Sequence, residues 1–323
     1  MNALFVTDPL DTLLADIDAT VGLMAATQSA GVGVWVCGPE DLTAVGGRLR
    51  ARVRPVVLHE RTRGRDHRWR VASPWYAAGA PELVDVDGTF EVAMLRIDPP
   101  VDARYLHTTY LLELAAAGGV RVVNHPAGVR ALHEKLLALS VPDLCPATVV
   151  TADPATVEEL VRHHGRAVVK PVDGFAGTDV WLVDRGPGCR ALAESATAGG
   201  RRHVIAQEYL PAVADGNKRL FVLDGEIVGA VLRRPSPDDF RIGAPVAEAA
   251  VDDGDRRIVA ALTPLLTAHG IALAGLDVID GRLIEVNVTC PGGMHKTDAL
   301  LGTDLSGAIV RRLLTPSTKE LQP

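Results

Sequence analysis

The spacing of hydrophobic residues in the first part of the chain predicts strands and helices in alternation. Short apolar runs of the strand type are NALFVTD, VGVWVCG, EVAMLRIDPP and VRVVNHP. Helical spacing occupies Ile17 to Ser29 and the stretch YLHTTYLLELAAAGG, which stops at Gly118 and Gly119. Strands separated by helices favour a parallel sheet with helices on both faces. The basic stretch from Arg52 to Arg70 fits neither period and is interpreted as an irregular insertion or hairpin.

The pattern changes after about Ala127, where hairpins replace the alternation. HEKLLAL predicts a helix, and AVVKPVDGFAGTDVWLV predicts a strand, a glycine-bearing loop and a second strand. KRLFVLDGEIVGAVLRRP predicts a hairpin that turns at Asp224 and Gly225. DRRIVAALTPLLTAHG predicts a helix that ends at Gly270, and GLDVIDGRLIEVNVT predicts the last hairpin.

The last hairpin has an unusual set of polar positions. Glu285 and Asn287 share one face because strand side chains repeat every two residues, and a tight turn at Asp280-Gly281 brings Asp277 across from them. Two carboxylates and an amide oxygen suit Mg²⁺, which takes its other ligands from water and phosphates. The alternative is a solvated face of an edge hairpin.

Lysine is rare in this chain, which has 28 arginines and only five lysines. Lys170 ends the apolar run AVVKP, where a charge is costly without an anionic partner, and DGFAG follows directly. Gly174 and Gly177 would let the backbone approach a ligand closely. A phosphate clamp and an ordinary hairpin with a snorkelling lysine both fit this pattern. Neither the P-loop motif nor the dinucleotide-binding glycine motif occurs.

Composition limits the class of protein. The chain has 323 residues, 47% of them hydrophobic, which allows two or three packed subdomains. A net charge of −7 argues against a nucleic-acid partner. No apolar run is long enough to span a membrane, and the N-terminus lacks the pattern of a signal peptide. The four cysteines are scattered, which predicts reduced thiols and a cytoplasmic location.

Four segments in one order resemble a known family. They are RIDPPVDARYLHTTYLLELAAAGGVRVVNHPAGVRALHEKL, VVKPVDGFAG, AQEYLPAVADGNKRLFVLDGE and GLDVIDGRLIEVNVT, and together they span Arg96 to Thr289. This set is similar to the ATP-grasp ligases, and most closely to the bacterial glutathione synthetases. The resemblance implies an α/β ATP-grasp fold behind an N-terminal parallel α/β (pre-ATP-grasp) domain. The expected domains are 1–124, a central lid subdomain at 125–205 and a metal-binding subdomain at 206–323.

The resemblance also implies roles for individual residues. Lys135 and Lys170 would hold the phosphates of ATP, under a loop that contains Gly174 and Gly177. The other nucleotide-binding positions would be Gln207, Glu208, Tyr209, Leu210, Asn217 and Lys218. Catalysis would use Arg219, Arg234 and Arg241, and two Mg²⁺ ions, with Mn²⁺ as a substitute, would be held by Asp277, Glu285 and Asn287. The family further implies a small-molecule acid and amine as substrates, and a homodimer or homotetramer.

The implied chemistry is amide-bond formation through an acyl phosphate. The γ-phosphoryl group moves to a carboxylate, an amine attacks, and phosphate leaves. Three hypotheses stay open: formation of glutathione from γ-glutamylcysteine and glycine, ligation of a different acid or amine in specialised metabolism, and a catalytically silent nucleotide-binding protein. Because water would hydrolyse the intermediate, a mobile lid is expected, and the Pro/Gly-rich stretch from Arg234 to Pro245 is the candidate.

Three segments depart from the family pattern. RIGAPVAEA replaces the expected glycine-rich run of the lid, Phe175-Ala176 stands where a glycine-rich pair is usual, and VTCPGGMHKTDALLGTDLS differs after Asn287. The acid and amine specificity is expected to depend on the lid and on this last segment.

Overall fold

The computed structural model describes residues 1–174, 179–236, 241, 243 and 245–315. Its N-terminal part is built on a sheet in the strand order β10-β9-β1-β2-β4-β3, with β7 and β8 also paired to β4 and a separate β5-β6 hairpin. The strands are β1 (Asn2–Thr7), β2 (Gly33–Cys37), β3 (Leu42–Val45), β4 (Arg48–Leu58), β5 (Arg61–Arg63), β6 (Trp69–Val71), β7 (Tyr76–Ala78), β8 (Glu82–Asp85), β9 (Val92–Arg96) and β10 (Arg121–Val123). The helices of this part are α1 (Ala19–Ser29), α2 (Ala103–Ala117) and α3 (Pro126–Ala131).

The sheet is parallel only in its apolar half. Strands β10, β9, β1 and β2 run parallel to one another, as the alternation predicted. Strand β4 is antiparallel to β2, β3, β7 and β8. The stretch from Arg52 to Arg70 is therefore not irregular for much of its length, and the hairpin predicted as the alternative is formed by β5 and β6. Its first residues belong to β4, where side chains alternate between exposed arginines and buried apolar residues, a pattern hidden by the high charge.

Helix ends follow local signals that the sequence carries. The Asp18 carboxylate accepts a hydrogen bond from the backbone N of Thr20 at the start of α1. Asp102 does the same for Tyr105 at the start of α2. Side-chain acceptors satisfy backbone donors that a helix leaves free at its first turn. Helix α2 ends before Gly119, which has a φ of 92° that other residues adopt only with strain.

The central part of the chain forms an antiparallel sheet in the order β11-β14-β12-β13. It has its own hydrophobic core, which holds buried residues from Val157 to Ala206. Its elements are β11 (Thr148–Thr151), α4 (Pro154–His164), β12 (Arg166–Pro171), β13 (Trp181–Asp184), α5 (Cys189–Ala196) and β14 (Val204–Glu208).

The segment HEKLLAL is not the predicted α-helix. Helix α3 ends at Ala131, and a short 3-10 helix covers Leu137–Ser140. In an α-helix the Glu134 carbonyl would accept a hydrogen bond from the residue four positions on. Here it accepts one from the backbone N of Val286, 3.2 Å away. The long-range contact replaces the local one, so the helical period of this segment was misleading.

The C-terminal part forms a second antiparallel sheet in the order β17-β16-β15-β18-β19. Its turns at Asp224-Gly225 and Asp280-Gly281 both have positive φ at the two central residues, as tight hairpins require. The elements are β15 (Asn217–Leu223), β16 (Glu226–Arg233), β17 (Pro245–Glu248), α6 (Asp253–Ala268), β18 (Leu273–Ile279), β19 (Arg282–Asn287), α7 (Met294–Leu301) and α8 (Leu305–Leu314).

The N-terminal and C-terminal sheets share their hydrophobic cores, whereas the central sheet does not. Asn124, which directly follows β10, joins the N-terminal sheet to the C-terminal sheet. Its amide nitrogen donates to the carbonyls of Leu273 and Val288, both at 2.7 Å, and its oxygen accepts from the backbone N of Leu273 at 2.8 Å. A buried amide satisfied in this way fixes the position of the C-terminal hairpin against the first domain. In the part of the chain that the structure describes, no helix has the length and apolarity to cross a membrane.

Candidate active site

The β18–β19 hairpin brings the predicted metal-binding residues together. Asp277 lies opposite Glu285, and Gly275 lies opposite Asn287. Asn287 donates from its side-chain nitrogen to the Gly275 carbonyl, 3.1 Å away, which leaves its side-chain oxygen for another partner. The hairpin therefore presents two carboxylates and an amide oxygen next to one another.

Asp277 is buried and is paired with two arginines. Arg219 donates from Nε to Oδ1 at 2.6 Å and from Nη2 to Oδ2 at 2.9 Å, and Arg233 donates from Nη2 to Oδ1. Burial alone would raise the pKa of Asp277, but the charges and hydrogen bonds of Arg219 and Arg233 outweigh it and lower the pKa to about 2. The carboxylate is thus ionised over the whole physiological range.

Gly275 makes room for one of these arginines. A Cβ atom at this position would lie 2.9 Å from Nη1 of Arg219. The same Nη1 donates to the carbonyl of Gly292, 3.2 Å away, in the loop that follows β19. The absence of a side chain at Gly275 leaves room for the Arg219 guanidinium, which reaches this loop.

Arg233, which the sequence analysis did not select, contacts Asp277, whereas the predicted Arg234 contacts Asp215. Asn217 pairs with Arg233 and Arg219 pairs with Val231, so Asn217, Arg219 and Arg233 share one face of β15 and β16. Arg234 is exposed, and its Nε donates to the Asp215 carbonyl at 3.3 Å. The sequence did carry a signal for Arg233. Pairing the two strands of the hairpin and following every second residue places Arg233 on the same face as Arg219.

Two lysines lie close to the carboxylates of this hairpin. Lys170 is the last residue but one of β12 and is only 8% exposed. Burial lowers the pKa of Lys170, Glu285 and Asp277 raise it, and Lys135 lowers it. These electrostatic effects mean that the four groups lie close together. Lys135 donates from Nζ to the carbonyl of Gly174 at the start of the glycine-bearing loop. The predicted loop residue Gly177 lies outside the described residues.

Glu134 is a second residue that sequence analysis missed. Its Oε1 accepts hydrogen bonds from the backbone N of Val288 and of Thr289, both at 2.8 Å, and from Oγ1 of Thr289 at 2.6 Å. It stands directly before Lys135 in the chain. Glu134 therefore joins the Lys135 segment to the end of the metal-binding hairpin, a contact between distant segments that no local pattern encodes.

The predicted adenine-binding segment runs along the end of β14. Gln207 is buried and donates from Nε2 to Oγ1 of Thr148, 3.0 Å away. The Glu208 carboxylate accepts from the backbone N of Ala147 at 3.3 Å. The Tyr209 ring lies under the guanidinium of Arg166, 5.3 Å from its centroid. Leu210 follows and caps a short 3-10 helix at Pro211–Asp215.

Asn217 and Lys218 are neighbours that point in opposite directions. The Asn217 side-chain oxygen accepts from Nε of Arg233 at 3.2 Å, and its nitrogen is buried without a partner among the described residues. Lys218 lies on the other face of β15, where its Nζ is 2.8 Å from Asp252 and 2.5 Å from Asp255 at the start of α6. The structure does not bring Lys218 together with the other predicted nucleotide-binding residues, because adjacent strand residues face opposite sides.

The predicted lid is only partly described. Of the stretch from Arg234 to Pro245, residues 237–240, 242 and 244 lie outside the described residues, whereas Arg241 is described.

The residues at the hairpin fit a divalent cation with oxygen ligands. The described residues contain no cluster of three or more His, Cys, Asp or Glu side chains of the metal-binding kind. Asp277, Glu285 and Asn287 provide an incomplete set of hard oxygen ligands. Such a set fits Mg²⁺, which completes its shell with water and phosphate oxygens. The freed Asn287 oxygen and the ionised Asp277 are the observations that support this fit.

Comparison with known proteins agrees with this site. Residues 1–130 match the family described as prokaryotic glutathione synthetase, N-terminal domain, and residues 134–302 match the prokaryotic glutathione synthetase, ATP-grasp domain. A glutathione synthetase of Parasynechococcus marenigrum is 40% identical over 318 residues, covering 97% of this chain and 99% of that protein. A glutathione synthetase of Thermosynechococcus vestitus is 38% identical over 320 residues, with 98% and 100% covered.

Solved structures show the same fold at lower identity. A D-cycloserine synthetase superposes with a TM-score of 0.61 at 20% identity, covering 97% of this chain and 100% of that chain. A RimK domain protein of the ATP-grasp type from Sphaerobacter thermophilus gives a TM-score of 0.60 at 19% identity, with 98% and 100% covered.

Fold and site together define an ATP-dependent carboxylate–amine ligase with the ATP-grasp fold. The enzyme uses ATP and a divalent metal ion, and its substrates are small molecules. Within that class, the chain belongs to the prokaryotic glutathione synthetase family. Its activity is of the glutathione synthase type, and the predictions of fold and enzyme class are confirmed.

Proposed function

We propose that this enzyme joins γ-glutamylcysteine to glycine and that the residues around the β18–β19 hairpin perform the reaction. The observation that supports this most directly is the convergence of Lys135, Lys170, Asp277 and Glu285 in one cleft, where the charges of the other three act on Lys170. A cluster of two cations and two anions at such close range suits a magnesium nucleotide, whose phosphates need cations and whose metal needs carboxylates.

The nucleotide lies between the central and C-terminal sheets. Lys135 and Lys170 hold its phosphates under the loop that begins at Gly174 and includes Gly177. The segment from Gln207 to Leu210 contacts the adenine, and Asn217, whose side-chain nitrogen has no partner among the described residues, lies on the ribose side. Lys218 is left out of this set because α6 holds it on the far face.

Asp277, Glu285 and Asn287 hold two Mg²⁺ ions, for which Mn²⁺ substitutes. Bound there, the metal supplies positive charge for phosphoryl transfer. The chain's own cations supply the rest. Arg219 and Arg233 face the position where the acid substrate's carboxylate receives the phosphoryl group, and they stabilise the charge that develops on its oxygens. Arg233 takes the place that was predicted for Arg234, and Arg241 acts from the lid.

The reaction has two steps, phosphorylation of the acid and attack by the amine. The acid's carboxylate oxygen bonds to the γ-phosphorus of ATP, and ADP leaves. The amine nitrogen of glycine then bonds to the acyl carbon, loses a proton and expels inorganic phosphate. The protein holds the two substrates in line and keeps water from the acyl phosphate.

The three domains of the enzyme are 1–124, 125–205 and 206–323. The first contains the N-terminal sheet and the third contains the C-terminal sheet, while the bound between the second and third falls within β14 of the central sheet, at Val204–Glu208. The enzyme works in the cytoplasm as a homodimer or homotetramer. All four cysteines are unpaired, which suits a reducing compartment. Light scattering on the purified chain measures the oligomeric state, and a monomer would contradict this part of the proposal.

The test is a substrate panel with ATP and Mg²⁺, in which ADP release and product mass are measured together. Formation of glutathione from γ-glutamylcysteine and glycine is the expected result. ADP release with another acid or amine but none with this pair would contradict the assignment. ATP binding without ADP release for any pair would contradict catalysis altogether.

A further inference from the structure

The β5–β6 hairpin belongs to the N-terminal part of the chain but is attached to the C-terminal part. Among the described residues it forms a two-stranded sheet of its own. Two strands alone are only marginally stable, so the position of the hairpin depends on what it contacts. Its side chains donate hydrogen bonds to α7, the helix at Met294–Leu301. The proposed reaction assigns no role to this hairpin.

Arg63 on β5 contacts the last turn of α7. Its Nε donates to the Ala299 carbonyl at 2.5 Å, and its Nη2 donates to the Leu300 carbonyl at 2.8 Å. The last carbonyls of a helix have no partner within it, and a cation is stabilising beside them. Gly302, which follows the helix, leaves room for this guanidinium, because a Cβ atom there would lie 3.1 Å from Nη1 of Arg63.

Trp69 on β6 contacts the first turn of the same helix. Its Nε1 donates to the His295 carbonyl at 2.8 Å. Its ring also stacks on the His295 ring, with the centroids 5.2 Å apart and an angle of 11° between the planes. The guanidinium of Arg61 lies 4.8 Å from the centroid of the Trp69 ring. The hairpin therefore holds α7 at both ends, which opposes sliding of the helix as well as tilting.

His295 joins α7 to the start of α1 as well. A Cβ atom at Gly22 would lie only 2.9 Å from Cβ of His295, so the two helices are in close contact here. Nε2 of His295 lies 3.2 Å from the carbonyl of Ala15, and the whole residue is buried. A densely packed interior transmits a displacement instead of absorbing it. The position of α7 therefore follows the positions of the hairpin and of α1.

The start of α7 is connected directly to the reaction site. Gly292 stands shortly before His295 in the chain, and its carbonyl accepts from Nη1 of Arg219 at 3.2 Å. Gly293, between them, has a φ of 101°, which residues other than glycine adopt only with strain. The short segment between the carbonyl bound by Trp69 and the carbonyl bound by Arg219 thus has a defined backbone conformation.

We infer that Arg63 and Trp69 are positioning residues for Arg219, acting through α7 and the Gly292 carbonyl. Asp277 accepts from Nε and Nη2 of Arg219, and the Gly292 carbonyl accepts from Nη1. When the hairpin no longer holds α7, the Gly292 carbonyl shifts and the guanidinium loses this orientation. The inference rests on the proposed function, in which Arg219 stabilises the charge that develops during phosphoryl transfer.

The test combines Arg63→Gln with Trp69→Phe, which keeps the stacked ring and removes only the N–H donor. Turnover per mole of folded enzyme should fall by about 10- to 100-fold, because a small displacement of a group at the reacting centre has an effect of this size. KM for ATP should stay within about twofold of the wild type, since the lysines that hold the phosphates lie on other segments. An unchanged kcat, or a rise in KM for ATP alone, would overturn the inference.

A double-mutant cycle distinguishes positioning from a general loss of stability. Arg219→Lys keeps the charge but removes the donor to Gly292. In that background the two hairpin substitutions should lower kcat by less than about twofold, because the interaction that they position is already absent. An equal fall in both backgrounds would overturn the inference. Arg68→Gln removes an exposed arginine of the same hairpin and should leave kcat unchanged. If the double variant does not fold, Trp69→Phe alone replaces it, with an expected fall of about fivefold for one lost hydrogen bond.

Hydrogen exchange separates this inference from the proposed function, because it requires no turnover. The amides of residues 297–301 in α7 should exchange at least about fivefold faster in the double variant than in the wild type and in Arg68→Gln. Equal exchange in all three proteins would overturn the inference even if the enzyme forms glutathione. Faster exchange in an enzyme that forms no glutathione would support the attachment of α7 to the hairpin and would contradict the proposed reaction alone.

Discussion

Arg219 and Asp277 face each other on adjacent antiparallel strands and are joined by two hydrogen bonds of 2.6 and 2.9 Å. Arg233 donates to the same carboxylate. The acid proposed to hold a metal ion is thus also the counter-ion of two buried guanidiniums. Glu285, its neighbour across the hairpin, has no hydrogen bond to the described residues. The two carboxylates of one site therefore differ in how much the fold depends on them.

Asp277→Asn should impair both folding stability and turnover. The amide cannot neutralise Arg219 and Arg233, and a broken buried ion pair costs about 3–5 kcal/mol in the free energy of unfolding. We expect a clear fall in the unfolding midpoint and no measurable ADP release. Urea titration and an ADP assay measure the two effects, and wild-type stability in this variant would contradict the ion-pair geometry.

Glu285→Gln should reduce turnover while having much less effect on folding stability. Glu285 makes no hydrogen bond to the described residues, so the substitution removes only its electrostatic interaction with nearby cations such as Lys170. The free energy of unfolding should therefore fall by about 1 kcal/mol at most, less than in Asp277→Asn. Turnover should fall by about 100-fold or more, since the metal loses an anionic ligand. Raising Mg²⁺ should restore part of the activity. Full activity at low Mg²⁺ would remove Glu285 from the metal site.

Site residues that are brought together by local structure were predicted from the sequence, whereas those that depend on contacts between distant segments were not. The hairpin set of Asp277, Glu285 and Asn287 followed from strand alternation and a tight turn, which are local. Glu134 was missed because its partners, Val288 and Thr289, stand more than 150 residues away in the chain.

The same limit applies to the fold. The parallel strands and the helices α1, α2 and α6 were predicted from their periods. HEKLLAL has a helical period, but its backbone is hydrogen-bonded to β19 and the helix does not form. Strand β4 has a strand period, but its many arginines concealed it. Lys218 contacts Asp252 and Asp255 on the face of β15 opposite to Arg219, which was not evident when it was selected for its charge alone.

Arg233→Gln and Arg234→Gln form a matched pair of adjacent substitutions. Arg233 contacts Asp277 and Asn217, so its loss should lower kcat by about 100-fold. Arg234 is exposed and should tolerate the change within about twofold, because surface substitutions are nearly neutral. Steady-state kinetics with both variants measure the contrast. Equal losses, or a larger loss for Arg234→Gln, would show that the strand faces are assigned the wrong way round.

Glu134→Ala should weaken the contact between the Lys135 segment and the end of the hairpin. Two backbone donors and the Thr289 hydroxyl lose their acceptor, which costs about 1–3 kcal/mol of stability. Because Lys135 is held less firmly, KM for ATP should rise more than kcat falls. Glu134→Gln keeps an acceptor oxygen and should recover most of the wild-type KM. A fall in kcat alone, or no recovery in Glu134→Gln, would contradict a positioning role.

The stability of the enzyme should depend on His295 at mildly acidic pH. His295 is fully buried, stacks on Trp69 with the ring centroids 5.2 Å apart, and has an unpartnered Nδ1 within the described structure. Burial, together with the charge of Arg61, lowers the pKa of His295 to about 4, against an ordinary value of about 6.5.

Between these two pKa values the unfolded chain binds a proton at His295 that the folded chain does not. The free energy of unfolding should therefore be undiminished above pH 6.5 and should fall as the pH is lowered towards 4, by about 3 kcal/mol in all. His295→Phe keeps the stacking on Trp69 and should remove most of this slope, whereas His163→Phe, at an exposed helix end, should leave it unchanged. Urea unfolding at a series of pH values measures the slope. An unchanged slope in His295→Phe would mean that His295 binds its proton in the folded enzyme as readily as in the unfolded chain.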